Sequence, residues 1–218
     1  MTGWRSISGW RLLFVRSLAR MIEGLLRRVT SALTRARIPY MIIGGQAVLF
    51  HGHPRLTQDV DVTLGVDVDA AGRVLAVCRN ARLTPLVKRP LDFARETHVL
   101  PARDGTTGLR VDFVFSNTPY ERHAIRRAVR ARVGKATVAF ASLEDVIIHK
   151  LVAGRAVDVE DVRVLLARRG RALNVGYLRR WLKRFSASGA LEHDPLKTFE
   201  SLRRSSARPP FRRHASFL

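Results

Sequence analysis

Residues 40–64 read YMIIGGQAVLFHGHPRLTQDVDVTL, and the order of patterns within them decides the fold. Tyr40-Met-Ile-Ile43 is a short apolar strand. It runs into Gly44-Gly45, and Gln46 to His51 follows as one or two helical turns. From Asp59 to Val62 polar and apolar residues alternate strictly, the period of a strand with one buried face. Asp59 and Asp61 then share one face, and Val60 and Val62 the other. Two carboxylates at that spacing lie about 6–7 Å apart at their Cα atoms and can chelate one or two hard cations. Oxygen-only ligands suit Mg²⁺ or Mn²⁺. Glycines behind an apolar strand let backbone N–H groups approach a phosphate chain, and the next helix N-terminus adds its dipole.

Upstream, Leu18, Met21, Ile22, Leu25, Leu26, Val29 and Leu33 recur at helical steps, predicting a helix from about Ser17 to Arg35 that Pro39 ends. Downstream, Val68 to Arg79 reads as a helix. Thr97–Pro101 and Leu109–Phe115 read as a hairpin around Asp104-Gly105. Asp112 lies in the alternating stretch Arg110-Val-Asp-Phe-Val114. If that strand pairs beside the first, Asp112 reaches the same cations, and such a trio fits two-metal phosphoryl or nucleotidyl transfer. A second Asp-x-Asp, Asp67-Val-Asp69, lacks the glycine pair and opens a helix, where capping accounts for it.

Tyr120–Val133 reads as a helix and Ala136–Phe140 as a strand. Ser142–Gly154 reads as an amphipathic helix with Ser142 as N-cap. Asp158 reads as the cap of a helix that Gly170 stops. Gly176–Phe185 and Leu196–Arg204 add two basic helices. The sum is an α/β (α+β) chain: a mixed sheet of about four strands flanked by helices, then a helical C-terminal portion. The expected parts are a basic N-terminal arm open to disorder (1–16), a core (17–141), the helical portion (142–204) and a flexible basic tail (205–218).

The chain has 218 residues, 46% apolar and 26% charged, which suits one core domain with additions and excludes wholesale disorder. The single cysteine, Cys78, cannot form an internal disulfide and reads as core. No run of 18 apolar residues suggests a membrane span, and Leu12–Val15 is too short for a secretory signal. The default expectation is a cytoplasmic protein with no membrane partner.

The net charge is +21, and the excess sits at the two ends. Residues 1–37 carry eight Arg and one Glu; residues 170–218 carry eleven basic and three acidic residues. Such ends favour phosphate-rich partners through counterion release. Only five of the 39 basic residues are Lys, so codon bias is the competing reason for so much arginine. Tyr177 to Phe185 interleaves aromatic and basic residues and reads either as a packing helix or as an RNA contact. His51-Gly-His53 has no further ligand at zinc spacing and reads as loop.

Ile43-Gly44-Gly45, a spacer, then Asp59-Val60-Asp61-Val62 resembles the signature of the nucleotidyltransferase superfamily with the DNA polymerase β-like fold. More narrowly, Ile42–Ala47, Arg55–Asp61, Val111–Val114, Glu144-Asp145 and Lys150–Arg155 followed by Asp158 and Asp161 look like the AbiEii-type branch. The resemblance covers roughly residues 18–190. It implies transfer of a nucleoside monophosphate from an NTP to an acceptor, with Mg²⁺ or Mn²⁺. Many relatives are toxins of toxin–antitoxin modules, and some modify tRNA 3′ ends. It therefore implies an RNA or tRNA acceptor and a cognate antitoxin. Transfer to a protein or small molecule, or a non-catalytic RNA-binding module, are the other functions the residues allow.

Carried over, Asp59 and Asp61 bind metal, and Asp112 is the third ligand or the base. Gly44, Gly45 and Thr57 contact phosphates. Lys150 and Arg55 pair with the triphosphate, and Asp161 completes the acidic set or orients Lys150. Relatives often carry a basic residue where Val157 stands.

Overall fold

The computed structural model describes residues 6–206 apart from 56, 58 and 117, and only the backbone of 6–16. The chain divides into two compact units, residues 1–47 with 56–142 and residues 48–55 with 143–218.

The first unit opens with α1, Ser6–Arg35. It starts eleven residues before the expected Ser17, inside the stretch read as an arm. No proline precedes Pro39, and extending a formed helix costs little per residue. Seven strands follow: β1 (Tyr40–Ile43), β2 (Asp59–Leu64), β3 (Leu83–Pro85), β4 (Val99–Asp104), β5 (Arg110–Phe115), β6 (Val129–Val133) and β7 (Ala136–Phe140). Among the described residues they form one mixed sheet in the order β3-β4-β5-β2-β1-β7-β6. Between them run α2 (Gly44–Phe50), α3 (Ala71–Asn80), α4 (Pro90–Thr97) and α5 (Pro119–Arg126).

Alternation dictates which face is buried: Val60, Val62, Val111 and Phe113 are all fully or almost fully enclosed. α1 packs on β7 and α3, supplying Leu25, Val29 and Leu33 to this core. Cys78 lies in the core as expected. Asp67 caps the turn before α3 by accepting from the Asp69 N–H.

Two expectations fail here. The sheet has seven strands rather than about four. The short strand β3 and the helix α4 carried too little pattern to be foreseen; Pro90 at the first turn starts α4. The helix expected over Tyr120–Val133 ends at Arg126, and Val129–Val133 instead pairs antiparallel with β7. Val-Arg-Ala-Arg-Val has the period of a strand, and the Gly134 turn returns the chain for pairing.

The second unit contains α6 (Leu143–Ala153), α7 (Ala156–Arg169), α8 (Val175–Ala187) and α9 (Pro195–Ser206). α6 packs against each of the other three. It is therefore buried nearly all round, at Val146, Ile147, Ile148 and Leu151 among others, and is not the amphipathic helix expected. Of the tail expected over 205–218, residues 207–218 lie outside the described residues. Among the described residues no helix is long and apolar enough to cross a membrane.

Candidate active site

The first unit brings together six of the residues singled out in the sequence. β2 pairs parallel with β5, and the register sets Asp61 beside Asp112 and Asp59 beside Arg110. In-register neighbours on adjacent strands are about 4.8 Å apart and face the same side. β1 pairs antiparallel with β2 on its other edge, with Ile43 opposite Asp61. The chain leaves β1 at Gly44, so the start of α2 sits over the aspartate strand.

The glycines have a specific reason to be there. Gly44 has φ +63°, a backbone that side chains disfavour, and a Cβ on it would come 1.8 Å from Asp61 Oδ2. A Cβ on Gly45 would come 2.6 Å from Thr57 Oγ1. The glycine pair thus admits a carboxylate and a hydroxyl against bare backbone. Buried Gln46, the next residue, donates to the Asp59 carbonyl at 3.4 Å.

Thr57 donates its hydroxyl to Asp59 Oδ1 at 2.5 Å, so here it orients a carboxylate. Arg110 donates to Asp112 Oδ1 at 2.8 Å. That hydrogen bond holds the Arg110 guanidinium above its ordinary value against partial burial, helped by the fields of Asp112, Asp59 and Asp61. Arg110 thus feels all three aspartates, a role the sequence reading missed. Its position beside Asp112 on an alternating strand was the available signal.

Three adjacent aspartates are the donor chemistry of a hard divalent cation. Among the described residues no three acidic, His or Cys side chains are gathered tightly enough to hold an ion. The fit therefore lies in donor type and strand register, with Asp112 turned to Arg110 and Asp59 to Thr57.

The remaining three candidates lie in the second unit. Lys150 of α6 is buried and bonds Asp158 Oδ1 at 2.6 Å and Asp161 Oδ2 at 2.9 Å. Both carboxylates are buried on α7, three residues apart and so on one face. Arg55 bonds Asp161 Oδ2 at 2.5 Å, and His53 Nε2 lies 3.4 Å from Asp161 Oδ1. Lys150 and Arg55 are thus both engaged by carboxylates.

Asp158 is not the cap expected: Arg155 occupies that position, and Asp158 stands in the first turn. Arg155 binds it at 2.6 Å. Burial pushes the Asp158 carboxyl up, but the hydrogen bonds from Arg155 and Lys150 and their charges win, holding it below its ordinary value. His53 was also missed, because only the packing of distant segments reveals it, whereas Arg155 pairs locally, three residues before Asp158.

Residues 38–215 match the model of the family described as nucleotidyl transferase AbiEii toxin, type IV toxin–antitoxin system. The chain belongs to this family. It is a nucleotidyltransferase, and its mixed sheet with flanking helices is the fold of that superfamily. No curated protein matches the chain.

Three solved structures are similar to this AbiEii-family chain. The solution structure of the antibiotic-resistance factor ANT(2'')-Ia is 15% identical, with 85% of this chain and 91% of that chain covered and a TM-score of 0.49. JHP933 from Helicobacter pylori is 18% identical, over 87% and 90%, at 0.47. The lincosamide antibiotic adenylyltransferase LnuA, lincomycin-bound, is 12% identical, over 63% and 91%, at 0.44. Nucleotidyltransferases generally use an NTP and a divalent metal ion, and the family description places the chain in a type IV toxin–antitoxin system.

Proposed function

We propose that this chain transfers a nucleoside monophosphate from an NTP to the hydroxyl of an RNA, with tRNA as the favoured acceptor. It acts as the toxin of a pair with a cognate antitoxin. The observation that carries the reading is the parallel register of β2 on β5, which sets Asp61 beside Asp112 under the bare backbone of Gly44. The basic ends of the chain support a nucleic-acid acceptor.

Asp59 and Asp61, with Asp112, would hold Mg²⁺ or Mn²⁺, which supplies charge neutralisation at the triphosphate and lowers the pKa of the attacking hydroxyl. As the alternative to a third ligand, Asp112 would accept the hydroxyl proton, with Arg110 bonded to its carboxylate. Thr57 fixes the Asp59 carboxylate. The Gly44 and Gly45 backbone N–H groups would bind the phosphates. Attack at the α-phosphorus forms the new ester bond and expels pyrophosphate. Lys150, Arg55 and Asp161 enter as nucleotide-binding residues of the second unit, with Asp161 and Asp158 fixing the Lys150 ammonium.

The test is incubation with each labelled NTP, Mg²⁺ and a cell extract, followed by separation of RNA from protein. Label in a tRNA-sized band, lost in a folded Asp59→Ala/Asp61→Ala variant, is the expected result. Label in protein or in a small molecule would replace the acceptor. No label with any of the four NTPs would overturn the reading.

A further inference from the structure

A second concave feature lies wholly within the first unit, toward the other end of β1 from Gly44. Tyr40 opens β1 opposite Leu64, whereas Ile43 closes it opposite Asp61. The two ends are separated by about 10 Å of strand. At the Tyr40 end a cavity of about 620 Å³ opens between the last turn of α1, the end of α5 and strands β7 and β6. That volume is within the usual range of small-ligand sites. Arg37, Arg126 and Arg130 line it, and among the described residues no acidic one does. Ile38 and Ile125 add apolar wall. Burial pushes the Tyr40 phenol above its ordinary value, against hydrogen bonds with Ala139 and Thr30 and the field of Arg130. It is therefore a neutral hydroxyl among three cations.

Arg37 is unusual in its backbone as well as its charge. It has φ 53°, the left-handed region. Its N–H bonds the Thr34 carbonyl at 3.0 Å, and the Ile38 N–H bonds the Leu33 carbonyl at 3.0 Å. This is the Schellman stop of α1, whose left-handed position is usually glycine. An arginine there strains the backbone, and its exposed side chain adds nothing to the core. Arg35 already supplies a cation to the last turn of α1. A strained cation lining a cavity with two more, and with no acid among the described lining residues, suits an anion.

We propose that this cavity is a second anion site, distinct from the aspartates, that takes the phosphate of a nucleotide unit, either free polyphosphate or an RNA backbone. The guanidinium forks match phosphate oxygens, and the isoleucine walls suit the ribose or base beside them. The site does not depend on the proposed transfer reaction.

The test is done in EDTA, so that metal-free aspartates repel anions rather than recruit them. Inorganic pyrophosphate is titrated by calorimetry, and a labelled single-stranded RNA dodecamer by anisotropy. The proteins are wild type, Arg126→Gln/Arg130→Gln, Arg37→Gly and, as a control for diffuse charge, Arg89→Gln at the N-cap of α4. Arg37→Gly puts glycine where the backbone favours it, so its Tm should equal or exceed that of wild type and loss of binding cannot be unfolding. Both cavity variants should weaken pyrophosphate binding about tenfold or more, with the control unchanged. Displacement of the dodecamer by pyrophosphate would identify the RNA backbone as the source; binding without displacement would identify free polyphosphate. No binding to wild type, cavity variants within about twofold of it, or an equal loss in the control would overturn the proposal.

Discussion

At the residue scale the site depends on what is absent from Gly44. Its backbone is left-handed, and a methyl group would meet the Asp61 carboxylate. Gly44→Ala should therefore cost about 1–3 kcal/mol in urea unfolding. Activity should fall further than stability, because Asp61 must move. Asp158 makes the complementary case. Its carboxyl is held below its ordinary value, so its stabilising share is complete above about pH 4. That share is lost as pH falls through the depressed folded value. Asp158→Asn should flatten the acid limb of a stability–pH curve and cost about 1–3 kcal/mol at neutral pH, since Lys150 and Arg155 lose a charged partner while Asp161 still pairs with Lys150. An unchanged acid limb would contradict the assignment. The aspartates of β2 were legible in the sequence because alternation and a glycine pair are local. The Lys150–Asp158 pair was not, because it forms only when α6 packs against α7, and the local pattern around Asp158 resembles a cap.

At the element scale the same contrast separates β5 from β6. Arg110–Phe115 declares itself by alternation and by the turn before it. Val129–Val133 alternates too, but it follows a helix closely, and its strand character depends on β7. α5 has a well-marked start. Thr118 and Glu121 form a reciprocal capping box, and Pro119 occupies the first turn. Thr118→Ala should cost about 1 kcal/mol, read as a lower urea midpoint with the m-value unchanged. A change in m-value would instead mean that α5 and the β6 edge lose structure together. The parallel pairing of β2 with β5 joins strands 45 residues apart in sequence, from Leu64 to Arg110. The sequence could state that pairing only as a condition, and the catalytic reading depended on its being met.

At the scale of the whole molecule, the first unit holds the sheet, the aspartates and the arginine-lined cavity, and the second holds the Lys150 network. The family identity gives nucleotidyl transfer; the aspartates are the address proposed for it. Metal binding tests the address without presuming an acceptor. Mn²⁺ is titrated into the protein with a non-hydrolysable NTP present, following paramagnetic broadening, for wild type and for Asp61→Asn and Asp112→Asn. The account predicts saturable Mn²⁺ binding to wild type and a loss of about tenfold or more in affinity in each folded variant. Equal Mn²⁺ affinity in all three proteins would contradict it and place the metal-binding chemistry elsewhere in the chain.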